Sequence, residues 1–323
     1  MRNPFTGAVT YFTHVHRKRS GFRPEAATPL PTRLAAGELH EELAAMLKTC
    51  PFCPGNETLS PSEMLRVSER QALGSGSSEG WLIRAIRNLI PRIPESCTGG
   101  RNESYVVIED PRHFVEGANG HEDLLCSALL TPEQFQALLA VDLEMTRRAY
   151  ANPAVAAVLI RKNQGRESGA SQPHPHNQVI GSDIPFPAVT CESEVTAQYP
   201  GIWRDLITFV RDQGFLLDER DGCYSYFCPF GTFPRSYEVV CLQGWTRAMD
   251  LPEPLWKTFV TMLHDTVRIL GATPLDYEIH EGPGVPLHAH VNARHFAYSN
   301  IGGTLNLPLS LVTNRQALRQ PPR

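Results

Sequence analysis

The chain has 323 residues, 41% of them hydrophobic and 20% charged, with a formal net charge of −4. That length predicts roughly two domains and a sizeable core, while the mildly acidic balance gives no basic footprint for a nucleic acid or a membrane surface. No 18-residue apolar run offers a transmembrane helix, and eight cysteines are too sparse for a disulfide scaffold.

In chain order, the N-terminal stretch lacks the apolar core of a signal peptide, so the expected setting is reducing and cytoplasmic. Arg17, Lys18, Arg19 and Arg23 form a basic cluster whose plain reading is a solvated arm. A short amphipathic helix is predicted over 34–48, just before Cys50. Residues 72–80 read as a flexible loop, and 81–86 and 104–109 as strands. The clearest helix begins at Thr131, a capping residue followed by Pro132 and Gln134 in a capping-box pattern. Phe135, Leu138, Leu139 and Leu143 then recur at helical spacing. A strand over 154–160 leads into a polar loop over 161–173. One helix is predicted over 193–213, stopped by Gly214, and another over 252–270, stopped by Gly271. Strands are predicted at 222–228, 236–243, 274–280 and 287–293.

Strands, a long helix and more strands occur twice, which reads as α+β. His174-Pro175-His176 is echoed by His288-Ala289-His290, each opening an apolar run. These repeats place a lobe boundary near residue 190, giving lobes 1–190 and 191–323.

Three constellations carry chemistry. Cys50 and Cys53 can grip one zinc on a tight turn, with two more ligands needed from elsewhere; the competing readings are a redox pair or two unrelated buried thiols. His174, His176 and Gln178 alternate along one strand face. Pro175 has no N–H to donate, which predicts an edge strand or a segment outside the ladder. A Gly/Ser loop precedes them, a pattern suited to phosphate. His280, His288 and His290, from a strand, a turn and a second strand, can converge on a divalent metal, with Glu192 or Glu194 as the completing carboxylate; a satisfied histidine set is the alternative.

At these residues the sequence resembles the galactose-1-phosphate uridylyltransferase family of the histidine-triad superfamily. Six segments carry the resemblance in order: NPFTG at 3–7, CPFCPGNE at 50–57, RAIRNLIP at 84–91, KNQGRESGASQPHPHNQ at 162–178, FGTFPRSYEVV at 230–240 and LHAHVNAR at 287–294. The resemblance implies an α+β fold of two histidine-triad-like lobes, with antiparallel sheets flanked by helices. It implies a zinc site at Cys50, Cys53, His113 and His174, and a second site for iron or zinc at Glu192, His280, His288 and His290. It makes His176 the nucleophile and Gln178 a contact of the transferred phosphoryl group. Asn88, Asn163 and Ser171 match nucleotide contacts. Arg17, Arg19 or Arg23 match arginines that reach nucleotide phosphate, often across a homodimer interface. Asn177 stands where the family usually has Gly, and Asn300 where it carries a sugar-binding Glu.

The implied reaction is ping-pong nucleotidyl transfer. His176 takes the nucleotide from a nucleoside diphosphate derivative, and a phosphorylated acceptor removes it, with Arg161, Lys162 or Arg166 offsetting phosphate charge. A UDP-sugar with a sugar 1-phosphate is the first expectation. An adenylyltransferase, or a dinucleotide or nucleotide-sugar phosphorylase, is the alternative within the superfamily. A nucleotide-binding module without turnover and a metallohydrolase at the second cluster are the alternatives from other classes.

Overall fold

The computed structural model describes residues 36–91, 93, 102–120, 123–228 and 235–294. Six helices and ten strands lie among them. The helices are α1 (Ala36–Thr49), α2 (Glu69–Leu73), α3 (Pro132–Tyr150), α4 (Pro187–Gln198), α5 (Ile202–Asp212) and α6 (Glu253–Leu270). The strands of the first half are β1 (Glu63–Val67), β2 (Ile83–Arg87), β3 (Glu103–Ile108), β4 (Ala157–Gln164) and β5 (His176–Ser182). Those of the second are β6 (Leu216–Arg220), β7 (Cys223–Phe227), β8 (Ser236–Cys241), β9 (Leu275–Gly282) and β10 (Val285–Ala293).

All ten strands form one antiparallel sheet in the order β1-β2-β3-β5-β4-β9-β10-β8-β7-β6. Read outward from the middle, the two halves have the same order: 4-5-3-2-1 in one and 9-10-8-7-6 in the other. They meet where β4 pairs with β9, with Lys162 opposite Tyr277. The repeated His-x-His segments therefore occupy equivalent strands, β5 and β10. A boundary at residue 190 falls inside α4, and the sheet runs unbroken across both halves.

One sheet face is covered by α3 and α6. Phe135, Leu138 and Leu139 of α3 and Phe259, Leu263 and Val267 of α6 are fully buried in one core with Val179, Val239, Tyr277 and Ala289 of the strands. Each apolar side chain of this size contributes about 1.5–3 kcal/mol by leaving water. The expected capping box starts α3: Thr131 Oγ1 accepts from Gln134 N–H at 3.2 Å, and Gln134 Oε1 accepts from Thr131 N–H at 3.0 Å. The opposite face carries the alternate residues of the central strands, and these are mostly polar. No helix among the described residues is long and apolar enough to cross a membrane.

The structure corrects several expectations. The helix predicted over 193–213 is two helices, because Pro200 pushes Tyr199 out of helical geometry (φ −131°, ψ 79°). The apolar stripe of α5 resumes in phase, so periodicity alone hid the break. β5 is central, between β3 and β4, and Pro175 stands one residue before it; the missing N–H therefore costs no ladder bond. Residues 161–164 continue β4 instead of opening a loop, since one face of that strand is meant to be polar. β1 and β6 were not predicted. As edge strands they are half exposed and carry no clean apolar alternation.

Candidate functional site

The first cluster forms where α1 ends. Cys50 N–H still reaches Met46 O at 3.0 Å, and Cys53 N–H turns back to Cys50 O at 3.3 Å. Asn56 Nδ2 clamps the turn by donating to Leu47 O (2.7 Å) and Cys50 O (2.9 Å). Gly55 takes φ +86°, a conformation that favours glycine. This knuckle meets His113 and His174, and the four ligand atoms lie within 4.8 Å of one another. Cys53 Sγ is 3.3 Å from His113 Nδ1 and 3.5 Å from His174 Nδ1. His174 Nε2–H donates to Asp110 O at 2.8 Å, which leaves Nδ1 unprotonated toward the sulfurs. Hydrogen bonding from Cys53 pulls the Cys50 thiol well down, against burial and with help from His113 and His174. Two sulfurs, one already inclined to thiolate, and two oriented imidazole nitrogens fit a zinc ion.

His176 starts β5, two residues beyond His174. Its Nδ1–H donates to His174 O at 2.8 Å, so Nε2 carries the lone pair. The ring stands edge-on to Phe52 at 5.3 Å, linking it to the knuckle. Burial is the main reason its pKa drops to about 4, which keeps the imidazole neutral at pH 7. His176 and Gln178 line one wall of a cavity of about 190 Å³, with Phe52, Ile86, Asn88, Leu89 and Ser171 on the others. The cavity thus has apolar sides suited to a base and a polar floor at the strand.

The expected site residues divide accordingly. Asn88, Ser171, His176 and Gln178 share the cavity. The Asn88 side chain is partly committed, accepting from Ile90 N–H at 3.0 Å and donating to Ser104 Oγ at 3.2 Å. Asn163 lies off the wall and braces the following loop by donating to Ser168 O. Lys162, expected as a phosphate cation, faces the opposite side of β4. It is 1% exposed and ion-paired with Glu109 in the core, because residues 161 and 162 alternate across the sheet. Arg17, Arg19, Arg23 and Asn300 lie outside the described residues.

The second cluster is built from Glu192 of α4, His280 of β9, and His288 and His290 of β10. The Glu192 carboxylate lies 3.1 Å from His280 Nδ1, 3.4 Å from His288 Nε2 and 3.6 Å from His290 Nε2. Each ring turns its other nitrogen to an outer acceptor: His288 to Pro286 O at 2.8 Å, His290 to Glu238 at 3.3 Å, His280 to Glu278 at 3.6 Å. His288 Nε2 is buried without a hydrogen-bond partner. Its lone pair faces a carboxylate oxygen, a clash that a cation between them relieves, and the outer acceptors are those that orient metal-binding histidines. Against burial, Glu192 and Glu238 lift His290 to about 10, and the three histidines hold Glu192 well below the usual carboxylate range. The indole of Trp203 covers His288 at 4.9 Å. The residues fit a divalent metal closed off by its own carboxylate.

Sequence reasoning missed a buried polar network behind His176. Asn177, between His176 and Gln178, points to the helical side. There its Nδ2 donates to Asp142 of α3 at 2.6 Å and its Oδ1 accepts from Tyr277 OH at 2.8 Å. Glu109 joins Lys162 to Ser127 Oγ, the latter at 2.6 Å. The only signal was Asn177 itself, a polar residue where the resembling family has Gly. Arg84 was missed too: fully buried beside the knuckle, it donates to Ser60 Oγ at 2.7 Å and Pro51 O at 3.3 Å.

Residues 91–245 match a family profile described as a domain of unknown function (DUF4921). An ADP-glucose phosphorylase of Arabidopsis thaliana is 23% identical over 255 residues, covering 73% of this chain and 68% of its own. A solved galt-like protein of Arabidopsis thaliana gives a TM-score of 0.66 at 20% identity, covering 85% of this chain and 93% of its own. The structure of an Arabidopsis thaliana ADP-glucose phosphorylase with bound ADP-glucose gives 0.65 at 17% identity, with 85% and 91% covered. A uridylyltransferase structure gives 0.68 at 18% identity, with 98% and 95% covered. At these identities the structural likenesses show a common fold.

Proposed function

Taking the chain as a divergent relative of the galactose-1-phosphate uridylyltransferases in fold and sequence, we propose that it is a nucleotidyltransferase working through a nucleotidyl–His176 intermediate. The observation that carries this is the His176 ring: neutral, tied by Nδ1 to its own strand at 2.8 Å, and lining the cavity beside Gln178. A fixed unprotonated imidazole nitrogen is a good nucleophile toward phosphorus. Its lone pair attacks the α-phosphorus of a nucleotide-sugar. The bond to the bridging oxygen breaks, and the electron pair leaves with a sugar phosphate. The charged imidazolium keeps its Nδ1–H on His174 O, which stabilises the intermediate. A phosphate-bearing acceptor then attacks, and Nε2 recovers its lone pair. Positioning and charge stabilisation supply most of the rate.

Gln178 contacts the transferred phosphoryl group, and Ser171 and Asn88 flank the nucleotide. Cys50, Cys53, His113 and His174 would hold zinc at the first cluster, where it would serve structurally by fixing His174 and through it the strand that bears His176. The second cluster, with iron or zinc, is structural as well. A homodimer in the cytoplasm completes the reading.

The relative named ADP-glucose phosphorylase favours an ADP-sugar donor with inorganic phosphate as acceptor. A UDP-sugar with a sugar 1-phosphate is the second reading, favoured by the uridylyltransferase fold match. Intact-protein mass spectrometry after incubation with ADP-glucose, UDP-glucose or ATP decides between them, because the mass increment names the nucleotide. The expected outcome is one nucleotide added to the native enzyme and none to His176→Ala. Uptake by the variant would remove His176 from its role.

A further inference from the structure

Nucleotidyl transfer leaves one charge unmatched: the phosphate that departs in the first step and returns as acceptor in the second. Other cations of the first half are already engaged. Lys162 is spent on Glu109 in the core, Arg112 forks onto Asp110, and Arg87 pairs with Glu103. Arg161 differs. It sits on β4 directly opposite Gln178 of β5 on one side and Glu278 of β9 on the other, on the face that bears His176. One guanidinium nitrogen donates to Asn163 Oδ1. Its Nε is buried with no hydrogen-bond partner, and the Oε1 of Gln178 is buried and equally unpartnered. A donor and an acceptor on paired positions of adjacent strands, both out of water and not joined to each other, call for a third group.

We infer that Arg161 and Gln178 form the subsite for the departing and returning phosphate. The inference rests on the nucleotidyl-transfer reading and adds the residue that holds the second phosphate. Arg161 Nε–H donates to an oxygen of that phosphate, and Gln178 Oε1 accepts from its protonated oxygen or from a neighbouring hydroxyl. The ligand class is a phosphate or phosphate monoester. Glu278, paired with Arg161 on the neighbouring strand β9, places a carboxylate residue on the other side of β4 from Gln178. As the α-phosphorus–oxygen bond breaks, the pair moving onto the leaving phosphate is met by a cation already in place. In the second step an oxygen of the bound phosphate attacks and the nitrogen–phosphorus bond breaks in turn.

The test loads His176 with adenosine 5′-phosphorimidazolide, whose leaving group is imidazole and needs no phosphate subsite. The adduct is then discharged with inorganic phosphate, with glucose 1-phosphate or with water alone. Arg161→Gln is expected to take up label and to hydrolyse in water like the native enzyme, while discharge by either phosphate slows roughly 100-fold. Arg161→Lys, which keeps the charge but not the Nε–H, is expected to fall between. Melting temperatures check that both variants fold. Discharge of Arg161→Gln by phosphate at the native rate overturns the inference, as does equal slowing of labelling, hydrolysis and phosphate discharge. A native enzyme that takes no label from either ADP-glucose or the phosphorimidazolide sinks the nucleotidyl-transfer reading itself.

Discussion

Asp142 is a carboxyl group with no route to water. It lies on α3, fully buried, and accepts one hydrogen bond from Asn177 at Oδ2 while Oδ1 has no partner. Burial is the main cause that lifts its pKa from 3.8 to about 8, beyond what the Asn177 bond and Lys162 return. The sign of the stability effect follows. Between about pH 4 and pH 8 the folded state holds a proton that the unfolded chain has released, so stability falls as pH rises through that window and levels off above it. The Asp142→Asn variant lacks this proton. Its urea midpoint should gain on that of the native protein from pH 4 to pH 8, and the gap should stay constant above. A gap that does not change with pH would show Asp142 to be ionised throughout. Nothing in the sequence marks Asp142: an acidic residue in a helical pattern reads as exposed, and only the fold turns it toward Asn177. The two candidate ligand clusters were legible because their spacing is itself chemistry, as in Cys50-x-x-Cys53 and the His-x-His pairs. His113 came from the resemblance alone, and the resemblance chose Glu192 over Glu194, since neither residue has a local pattern.

Among the elements, β5 carries the most consequence because it is fixed from three sides: β3, β4 and, through His174, the knuckle. The two ladders hold its backbone, but its first residue, His176, depends on the turn just before it. His174 is tied to Asp110 O at one nitrogen and to the two sulfurs at the other. Removing the ion should leave Cys50, Cys53 and two imidazoles in a dry cavity that no longer draws them together. Structural zinc contributes about 10–16 kcal/mol, as much as a whole domain's stability. Cys53→Ser should therefore lose one metal per chain by elemental analysis and lower the melting temperature by roughly 10 °C or more. Nucleotidylation of His176 should fall in proportion. A variant that lost the metal but kept full labelling would separate the knuckle from the chemistry. The long helices and buried strands were visible in the sequence because burial on one stripe or face imposes a period. The edge strands β1 and β6 and the α4–α5 break were not, since an exposed edge imposes none and a Pro-Gly step can interrupt a helix without disturbing its phase.

Across the whole molecule, the matching strand orders put one ligand cluster in each half, on the same sheet face, with the β4–β9 seam between them. The clusters have different surroundings. The first abuts the cavity through Phe52 and His176. The second lies beyond the seam and ties α4 to β9 and β10 through Glu192, with Trp203 of α5 resting on His288. Disrupting the second cluster should therefore loosen the α4–α5 cover more than it disturbs His176. The core is shared, since α3 and α6 pack on one another and Gln136 bonds to Lys257 O at 2.7 Å and Thr261 Oγ1 at 2.9 Å. The continuous sheet and shared core predict that the chain unfolds as a unit. His288→Ala is the incisive variant, because it removes a ligand without leaving a buried carboxylate unpaired by the other two histidines. It should lose one metal per chain, melt lower in a single calorimetric transition, and still take up nucleotide at His176 within a few-fold of the native rate. Two resolved transitions would show the halves to be independent folding units. Abolished labelling in a folded variant would mean that the second cluster acts across the seam, and the nearest route is the row His280, Glu278, Arg161, Gln178.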